Sequence, residues 1–373
     1  MKKLNSLTIL LIVTAIMVAL MLMTIQRPSS NSDDEGLLFP ELKSQLSNID
    51  TIHIKSNQDD FTLIKSGEDW LIKERWNFPA DFNLVKRALI DLSDAKILER
   101  KTAKAEQYPI LGVEGTDDGG QSIQLTLSNG DEQFAGFILG RERELGQTGG
   151  ARQFYVRRVA EKESWLAEGY LNLTPLMLNW IDSEVINIAR ERIVQVNIIQ
   201  PNGQRVTLIN LGKKDKFGTP TEREKTVYKY DLLGYDIAGT LFQLRMEDVQ
   251  PRDEFSRDGA EVVKAEFITF DGLKMVVSTS FDNDKGLYNS TFKAEQYNSA
   301  LPRVPNDIQA SGMLKTAEQV EQEVLALNKE LSPWVYRFGG FIGTNLMRAR
   351  ADVVTEIEKV IPMPVDMTGG FGS

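Results

Sequence analysis

The feature that most constrains this chain is a run of twenty residues without a charged side chain, from Ser6 to Ile25. Most of these residues are Leu, Ile, Val, Met or Ala, and as a helix they would span roughly 30 Å, the thickness of a bilayer's hydrocarbon core. A helix satisfies its own backbone polar groups, as lipid requires. A cleaved signal peptide would have a shorter apolar stretch and a small-residue cleavage site. The sequence therefore predicts an uncleaved transmembrane signal anchor over residues 1–26.

Charges on the two sides of this segment predict its orientation. Lys2 and Lys3 precede it, and Arg27 and then an acidic stretch at residues 33–35 follow it. The positive-inside rule then places the short N-terminus in the cytoplasm and the body outside. We predict a single-pass protein of the bacterial inner membrane with a periplasmic body, which residues 27–40 tether to the anchor.

Composition excludes several classes of protein. The chain has 43 Lys and Arg against 53 Asp and Glu, a formal net charge of −10, which argues against a general nucleic-acid binder. It has no Cys and a single His, so disulfides, thiolate metal sites and His-rich metal sites are excluded. No phosphate-binding loop of the Walker type occurs, so the chain is not expected to be an ATPase.

The sequence pattern of the first part of the extracytoplasmic body predicts an α+β unit. Short apolar runs alternate at 52–54, 61–64 and 70–72 with turn residues between them, which predicts a β-meander. An amphipathic helix is then predicted over 82–92, with Asp81 as its N-cap, because its apolar residues recur at spacings of three and four. Further alternating segments meet at the turn Asn129-Gly130, which predicts a hairpin.

The same order of elements recurs later in the chain. Residues 206–209 match 61–64 at an offset of 145, and the turn Asp271-Gly272 matches Asn129-Gly130 at an offset of 142. Small drifts in the offset indicate a duplicated module. The alternative, that any two α+β stretches look alike at this level, stays open. The predicted modules are residues 41–186 and residues 187–298, the second a repeat of the first.

The pattern changes after Tyr297. A capping box at Thr316 to Gln319 predicts a helix through about Leu331, and a second helical stretch is predicted at about 345–360. We predict a helical C-terminal segment over 299–361 and a disordered tail over 362–373. The predicted fold class is α+β: an N-terminal transmembrane helix, then two related modules of mainly antiparallel β-sheet with packed helices.

Taken in order, several segments resemble the domain-of-unknown-function family 4340, over roughly residues 40–350. They are the anchor, Ile-His-Ile at 52–54, Trp-Leu-Ile-Lys-Glu at 70–74, Phe-Pro-Ala-Asp-Phe-Asn-Leu-Val at 78–85, Ala-Lys-Ile-Leu-Glu-Arg at 95–100, Tyr-Pro-Ile-Leu-Gly-Val at 108–113 and Tyr-Val-Arg-Arg at 155–158. Members typically sit beside genes for an ABC transporter of the gliding-motility type and a partner extracytoplasmic subunit. The resemblance implies an accessory, membrane-anchored role, and it supplies no catalytic residues.

Residues that could carry chemistry are few. His53 lies between Ile52 and Ile54 in a predicted strand, and we interpret it as a surface or edge residue rather than a catalytic base. Residues 282–286 resemble the start of a calcium loop, but the fifth and twelfth positions hold Gly286 and Lys293 rather than ligands, which favours a polar turn. We predict no catalytic, metal-binding or cofactor-binding residue and no cofactor. A carboxylate pair or a Ser–Lys dyad cannot be recognised from sequence and stays open.

The least ordinary stretch is residues 334–342, where aromatic side chains alternate with one Arg and two Gly. This composition resembles a binding hot spot. The candidate partner-contact residues are Trp334, Tyr336, Phe338 and Phe341. The alternative is that these aromatic residues complete the core of the second module.

These features predict a non-catalytic, membrane-anchored extracytoplasmic accessory subunit of an ABC-type transporter complex. Its partners would be integral membrane or extracytoplasmic subunits of that complex, the bilayer through residues 6–25, and no nucleic acid. The alternatives are an envelope module that binds a polymer or lipid without a transporter and, less favoured, an envelope hydrolase.

Overall fold

The computed structural model describes residues 36–116, 119–143, 152–171, 173–212, 217–218, 226–229, 232–257 and 259–356. The predicted anchor, most of the predicted tether and the predicted tail lie outside these residues. Among the helices of the described ranges, none is long and apolar enough to cross a membrane.

The described residues form short helices and many strands. Strands β1 to β9 are Thr51–Lys55, Asp60–Ser66, Asp69–Ile72, Phe78–Pro79, Lys96–Arg100, Ile123–Asn129, Glu132–Arg143, Arg152–Arg158 and Ser164–Gly169. Strands β10 to β21 are Glu184–Ile186, Ile193–Ile199, Arg205–Asn210, Phe217–Gly218, Thr226–Tyr228, Leu244–Arg245, Asp248–Pro251, Val263–Thr269, Leu273–Asp282, Leu287–Gln296, Trp334–Phe338 and Val354–Glu356. Helices α1 to α8 are Leu42–Gln45, Phe82–Asp94, Tyr108–Leu111, Leu233–Ala238, Asn306–Ala310, Ala317–Leu331, Gly340–Met347 and Arg350–Val353.

The chain divides into two compact units. The N-terminal unit comprises Met1–Leu71 and Phe82–Met177, and the C-terminal unit comprises Ile72–Asp81 and Leu178–Ser373. A nine-stranded sheet has the order β4-β3-β2-β1-β6-β7-β8-β9-β5, and an eight-stranded sheet has the order β13-β12-β11-β17-β18-β19-β20-β16. Strands β10 and β15 form one small sheet, and β14 and β21 form another. Every pairing whose register is described is antiparallel, which confirms the predicted α+β class.

The two large sheets share one strand order. Each has a hairpin, β1–β2 or β11–β12, whose first strand pairs with the first of four neighbouring strands, β6–β9 or β17–β20. In each, the strand at the far end, β5 or β16, comes from earlier in the chain than those four. The turns between the first two of those four strands also correspond. Gly130, between β6 and β7, and Gly272, between β17 and β18, both adopt positive φ, the conformation that glycine allows at low cost. This agreement supports the interpretation of the chain as a duplicated module.

Helix α2 packs one face against the core of the N-terminal unit. Val85, Ala88 and Leu92 are its buried apolar residues, at spacings of three and four. Phe82, which the sequence pattern counted in this stripe, is 46% exposed. The helix is therefore confirmed, but its buried stripe begins one turn later than the sequence predicted.

The C-terminal part of the chain mixes helix and strand. Thr316 caps helix α6, and its capping box with Gln319 is confirmed. The predicted helix over 345–360 is wrong as a continuous element. The backbone is extended at Arg348 (ψ 127°), after α7, and helix α8 ends at Val353. Val354–Glu356 form strand β21, which pairs with β14, and β-branched residues such as Val354 and Thr355 favour a strand. Residues 357–360 of the predicted helix lie outside the described residues.

A buried ionic cluster ties helix α6 to the sheet of the C-terminal unit. The Arg192 guanidinium donates to both oxygens of Asp271 (3.1 and 3.2 Å) and to both oxygens of Glu323 (2.9 and 3.0 Å). Lys315 Nζ lies 2.8 Å from Glu323 Oε1. Burial would raise the pKa of Glu323, but the hydrogen bonds from Arg192 and Lys315 outweigh it and hold that pKa below its usual range.

The same helix also covers part of the edge of strand β19. The Asn328 side chain donates to the carbonyl of Ala294 and accepts from its backbone amide, both at 2.8 Å. These two bonds replace those that a neighbouring strand would make. Strand β20 pairs with β19 only at residues 288–290, so Asn328 satisfies a backbone position that β20 does not reach.

A candidate binding site on the polar face of the C-terminal sheet

Strand β20 separates the aromatic residues that the sequence analysis singled out from the arginine between them. Tyr336 and Phe338 are buried and contact the Phe292 ring at centroid distances of 5.5 and 6.1 Å. Burial raises the pKa of the Tyr336 phenol well above its usual range. Trp334 is half-buried and meets Phe78 edge-on at 5.0 Å. The alternation of the strand turns Arg337 to the opposite face.

Phe341, the fourth of these residues, lies in the first turn of helix α7 and is 64% exposed. It is therefore the one residue of the four that presents most of its side chain to solvent. Tyr336 and Phe338 instead belong to the core of the C-terminal unit, as the alternative for this segment predicted. Partner contact stays a prediction, and among these four residues Phe341 is the one placed to make it.

Arg337 belongs to a polar row that crosses four neighbouring strands. Ser280 of β18 lies opposite Asn289 of β19, Asn289 lies opposite Arg337 of β20, and Arg337 lies opposite Asp248 of β16. Residues directly opposite in antiparallel strands share one face of the sheet. The register of the sheet therefore brings together four polar side chains from distant parts of the sequence.

The row is held by charge-assisted hydrogen bonds. Arg337 Nη1 lies 2.7 Å from Asp248 Oδ2, Arg337 Nε donates to Asn289 Oδ1 at 3.3 Å, and Arg337 Nη2 donates to Gln250 Oε1. The other oxygen of Asp248 is 3.0 Å from Arg75 Nη2. The Asp248 carboxylate thus pairs with the guanidinium groups of both Arg75 and Arg337, and all three side chains are largely buried. This arrangement fixes the orientation of the Asn289 amide.

A cavity of about 290 Å³ lies beside this row. Ser280 and Asn289 line it from the sheet, Phe255 and Arg257 line it from the segment after β16, and Asp282 begins the turn that also borders it. Most of its lining is polar, unlike an ordinary core void. It therefore has the character of a binding pocket with several converging polar groups.

Arg257 is the cationic group of this cavity. Its Nη2 atom donates to Thr291 Oγ1 at 3.2 Å, and its guanidinium lies 5.9 Å from the centre of the Phe255 ring. Its Nε atom is buried and makes no hydrogen bond within the part of the chain that the structure describes. A buried donor without a partner is costly, so this N–H group is one of the unsatisfied polar groups beside the cavity.

The turn between β18 and β19 supplies acidic groups at the rim. Asp282 Oδ1 accepts hydrogen bonds from the backbone amides of Asp284 and Lys285, both at 3.1 Å. The polar turn predicted for residues 282–286 is confirmed. Among the described residues, no group of three or more His, Asp or Glu side chains is placed to hold a metal ion.

Sequence reasoning did not find this site. Its polar groups stand at widely separated positions, and neither Asp248 nor Asn289 belongs to a motif. The one available signal was Arg337, a charged residue in an otherwise aromatic and apolar strand. His53, which the sequence predicted to be a surface residue, is half-exposed in the N-terminal unit and pairs with Asp60 at 2.6 Å.

The fold defines an α+β protein with two large antiparallel sheets and two small ones, and a polar cavity lies on one of the large sheets. A family model described as "Domain of unknown function (DUF4340)" matches residues 70–258, just over half of the chain. The chain belongs to this family. The match is shorter than the range of roughly 40–350 that the sequence analysis predicted. No curated protein and no solved structure matches the chain.

Proposed function

We propose that this chain is a non-catalytic, membrane-anchored extracytoplasmic accessory subunit of an ABC-type transporter complex, built of two modules related by duplication. The uncharged segment from Ser6 to Ile25 supports the anchor. The shared strand order of the two large sheets supports the duplication. The association with a transporter is supported by membership of the family, whose members typically sit beside such transporter genes.

The observation that carries a contact role is the setting of Phe341. Helix α7 packs closely on the sheet, because a Cβ atom at Gly343 would lie under 3.0 Å from the ring of Tyr288. Gly339, before the helix, is equally close to the side chain of Glu247. The helix is therefore held tightly while the Phe341 ring stays 64% exposed. A rigidly held, exposed aromatic side chain is typical of an anchor residue in a protein interface.

The anchor would make such a contact effective even if it were weak. Confining two proteins to one membrane raises their effective concentration without adding any contact. The modules would then present their surfaces to membrane-embedded or extracytoplasmic subunits. ATP hydrolysis would take place in separate cytoplasmic subunits.

Photo-crosslinking in intact cells tests this function. A photoreactive phenylalanine at position 341 of the full-length protein is expected to crosslink to transmembrane or extracytoplasmic subunits of an ABC-type complex. The matched control is position 325, because Leu325 is a similarly exposed apolar residue, at 60%, on helix α6. We expect no crosslink to the same subunits from position 325.

Co-purification provides the second measurement. Phe341→Ala should reduce recovery of the partner subunits from solubilised membranes, whereas Leu325→Ala should leave it unchanged. Recovery of the full-length protein alone in every case would contradict the transporter association. Equal crosslinking from both positions would contradict the role of Phe341.

A second candidate function is an envelope module that binds a polymer or lipid without a transporter. The cavity beside Asn289 favours it, because that cavity offers polar groups suited to a ligand rather than to core packing. Retention of the protein on purified cell-wall material would support this function.

A further inference from the structure

We propose that the cavity bounded by Arg257, Asn289 and the turn at 282–284 binds a sugar residue of a carbohydrate chain. The proposal goes beyond the accessory role and does not depend on association with a transporter. It rests on four features of the cavity: its size, its mixture of donors and acceptors, its apolar lining and the rigidity of its floor.

The size of the cavity suits a small ligand unit. Its volume of about 290 Å³ is at the lower end of the range of roughly 300–1,000 Å³ that is common for ligand pockets. One pyranose ring, with the next sugar extending toward solvent, fits such a space better than a nucleotide or a lipid chain. The floor lies on the sheet, and the turn from Asp282 to Asp284 forms part of the rim.

The cavity combines hydrogen-bond donors and acceptors. Its donors include the guanidinium of Arg257 and the Nδ2 amide of Asn289, whose oxygen already accepts a hydrogen bond from Arg337. Its acceptors include the carboxylates of Asp282 and Asp284. A sugar hydroxyl donates and accepts at once, so neighbouring hydroxyls can pair with both kinds of group.

This balance argues against an anionic ligand. Two carboxylates and one guanidinium line the cavity, so its lining does not carry the excess of positive charge that a phosphate or sulfate site requires. The lining also lacks the set of three or more acidic or imidazole ligands expected for a cation, among the residues that the structure describes. A neutral polyhydroxyl ligand needs neither.

The apolar part of the lining completes the match. Phe255 and Ala260 line the same cavity as the polar groups. A pyranose ring has C–H groups on its faces and hydroxyl groups around its edge, so it can bury apolar surface and form hydrogen bonds at the same time.

The floor of the cavity is already fixed in place. Arg337 holds the Asn289 amide, and Asp248 and Gln250 hold Arg337. Groups that are fixed before binding lose little conformational freedom when the ligand arrives. The buried polar row described above therefore acts as support for the donors of the cavity.

Saturation-transfer NMR on the full-length protein tests the proposal. The protein is placed in phospholipid nanodiscs, because alkyl glycoside detergents carry sugars themselves. The probes are glucose, N-acetylglucosamine and their β-1,4-linked dimers, with titration calorimetry for those that bind. We expect saturation transfer to the ring protons of at least one probe. Arg257→Ala should weaken its binding at least tenfold.

The control is Arg245→Ala, the same change at an arginine of the C-terminal unit whose side chain is 65% exposed outside the cavity. It should leave the affinity unchanged. Should Arg257→Ala fail to fold, Asp284→Ala changes an exposed turn residue of the rim and is expected to weaken binding as well.

Three results would overturn the proposal. The first is no transfer to any probe. The second is equal affinity in the cavity variants and the control. The third is displacement of a bound sugar by inorganic phosphate or glycine at lower concentration, which would indicate an ionic ligand. None of these results bears on crosslinking from position 341, so the two proposals fail separately.

Discussion

Replacing Arg192 by Met removes the cation from the ionic cluster under helix α6 and keeps a side chain of similar length. In the native protein this guanidinium is 6% exposed and pairs with two carboxylates, Asp271 at 2% and Glu323 at 13% exposed. After the change, Lys315 still pairs with Glu323, but the Asp271 carboxylate keeps only neutral donors such as the Lys315 backbone amide. A buried negative charge is then left without a counter-ion.

The expected loss follows from that unpaired charge. Removing one partner of a buried pair destabilises a protein by about 3–5 kcal/mol. This is a large part of the roughly 5–15 kcal/mol that stabilises a whole domain. With a urea dependence of about 2 kcal/mol per molar, the unfolding midpoint should fall by roughly 1.5–2.5 M.

Urea denaturation of the full-length protein is the appropriate assay, because guanidinium chloride would screen the ion pairs. The matched control is Arg245→Met, which removes an exposed arginine 3.9 Å from Glu184 and should change the free energy of unfolding by less than about 1 kcal/mol. A loss below about 1 kcal/mol for Arg192→Met would refute the argument. It would mean that water or neighbouring groups neutralise Asp271 without the guanidinium.

Three further predictions follow from contacts in the C-terminal unit. Glu323→Gln should reduce stability most near neutral pH and progressively less as pH falls below the unfolded-state glutamate pKa of about 4.3, because the stability contributed by the lowered pKa of Glu323 is lost as pH falls through that lowered pKa; urea titrations from pH 3 to 7 measure this, and a pH-independent difference would disagree. Gly343→Ala should destabilise by about 1–3 kcal/mol through the Tyr288 ring, whereas Gly340→Ala, with open space around its Cβ, should change stability by less than about 1 kcal/mol; equal thermal shifts would count against this. Asn328→Leu should speed hydrogen exchange at the Ala294 amide and cost about 1–3 kcal/mol; unchanged exchange would show that the edge is satisfied in another way.

Local signals in the sequence were sufficient for much of the fold. Strand alternation and turn glycines predicted the meander and the hairpins at Asn129-Gly130 and Asp271-Gly272, because these elements are set by neighbours in the chain. The sequence analysis did not predict strand β20, because helix α6 lies between β19 and β20 in the sequence and no short hairpin turn connects them. Strand β21 was mistaken for helix, because its pairing with β14 depends on residues far away in the sequence.

The candidate site was beyond the reach of sequence patterns for a related reason. Asp248, Asn289 and Arg337 become neighbours only through the register of three strands. A slip of one residue in β20 would turn Arg337 toward the core and an aromatic side chain toward the cavity. The proximity of these three residues thus depends on the register of the whole sheet, and no short segment of the sequence predicts it.

The membership of residues 72–81 in the C-terminal unit has a consequence for dissecting this protein. A fragment that starts at Leu178 lacks Arg75, which pairs with Asp248, and Trp76, whose indole donates to Glu254. No single cleavage point therefore releases both halves intact. During translation, residues 72–81 are synthesised well before Asp248 and Glu254, with which two of them pair, so the two units cannot complete folding independently and in order along the chain.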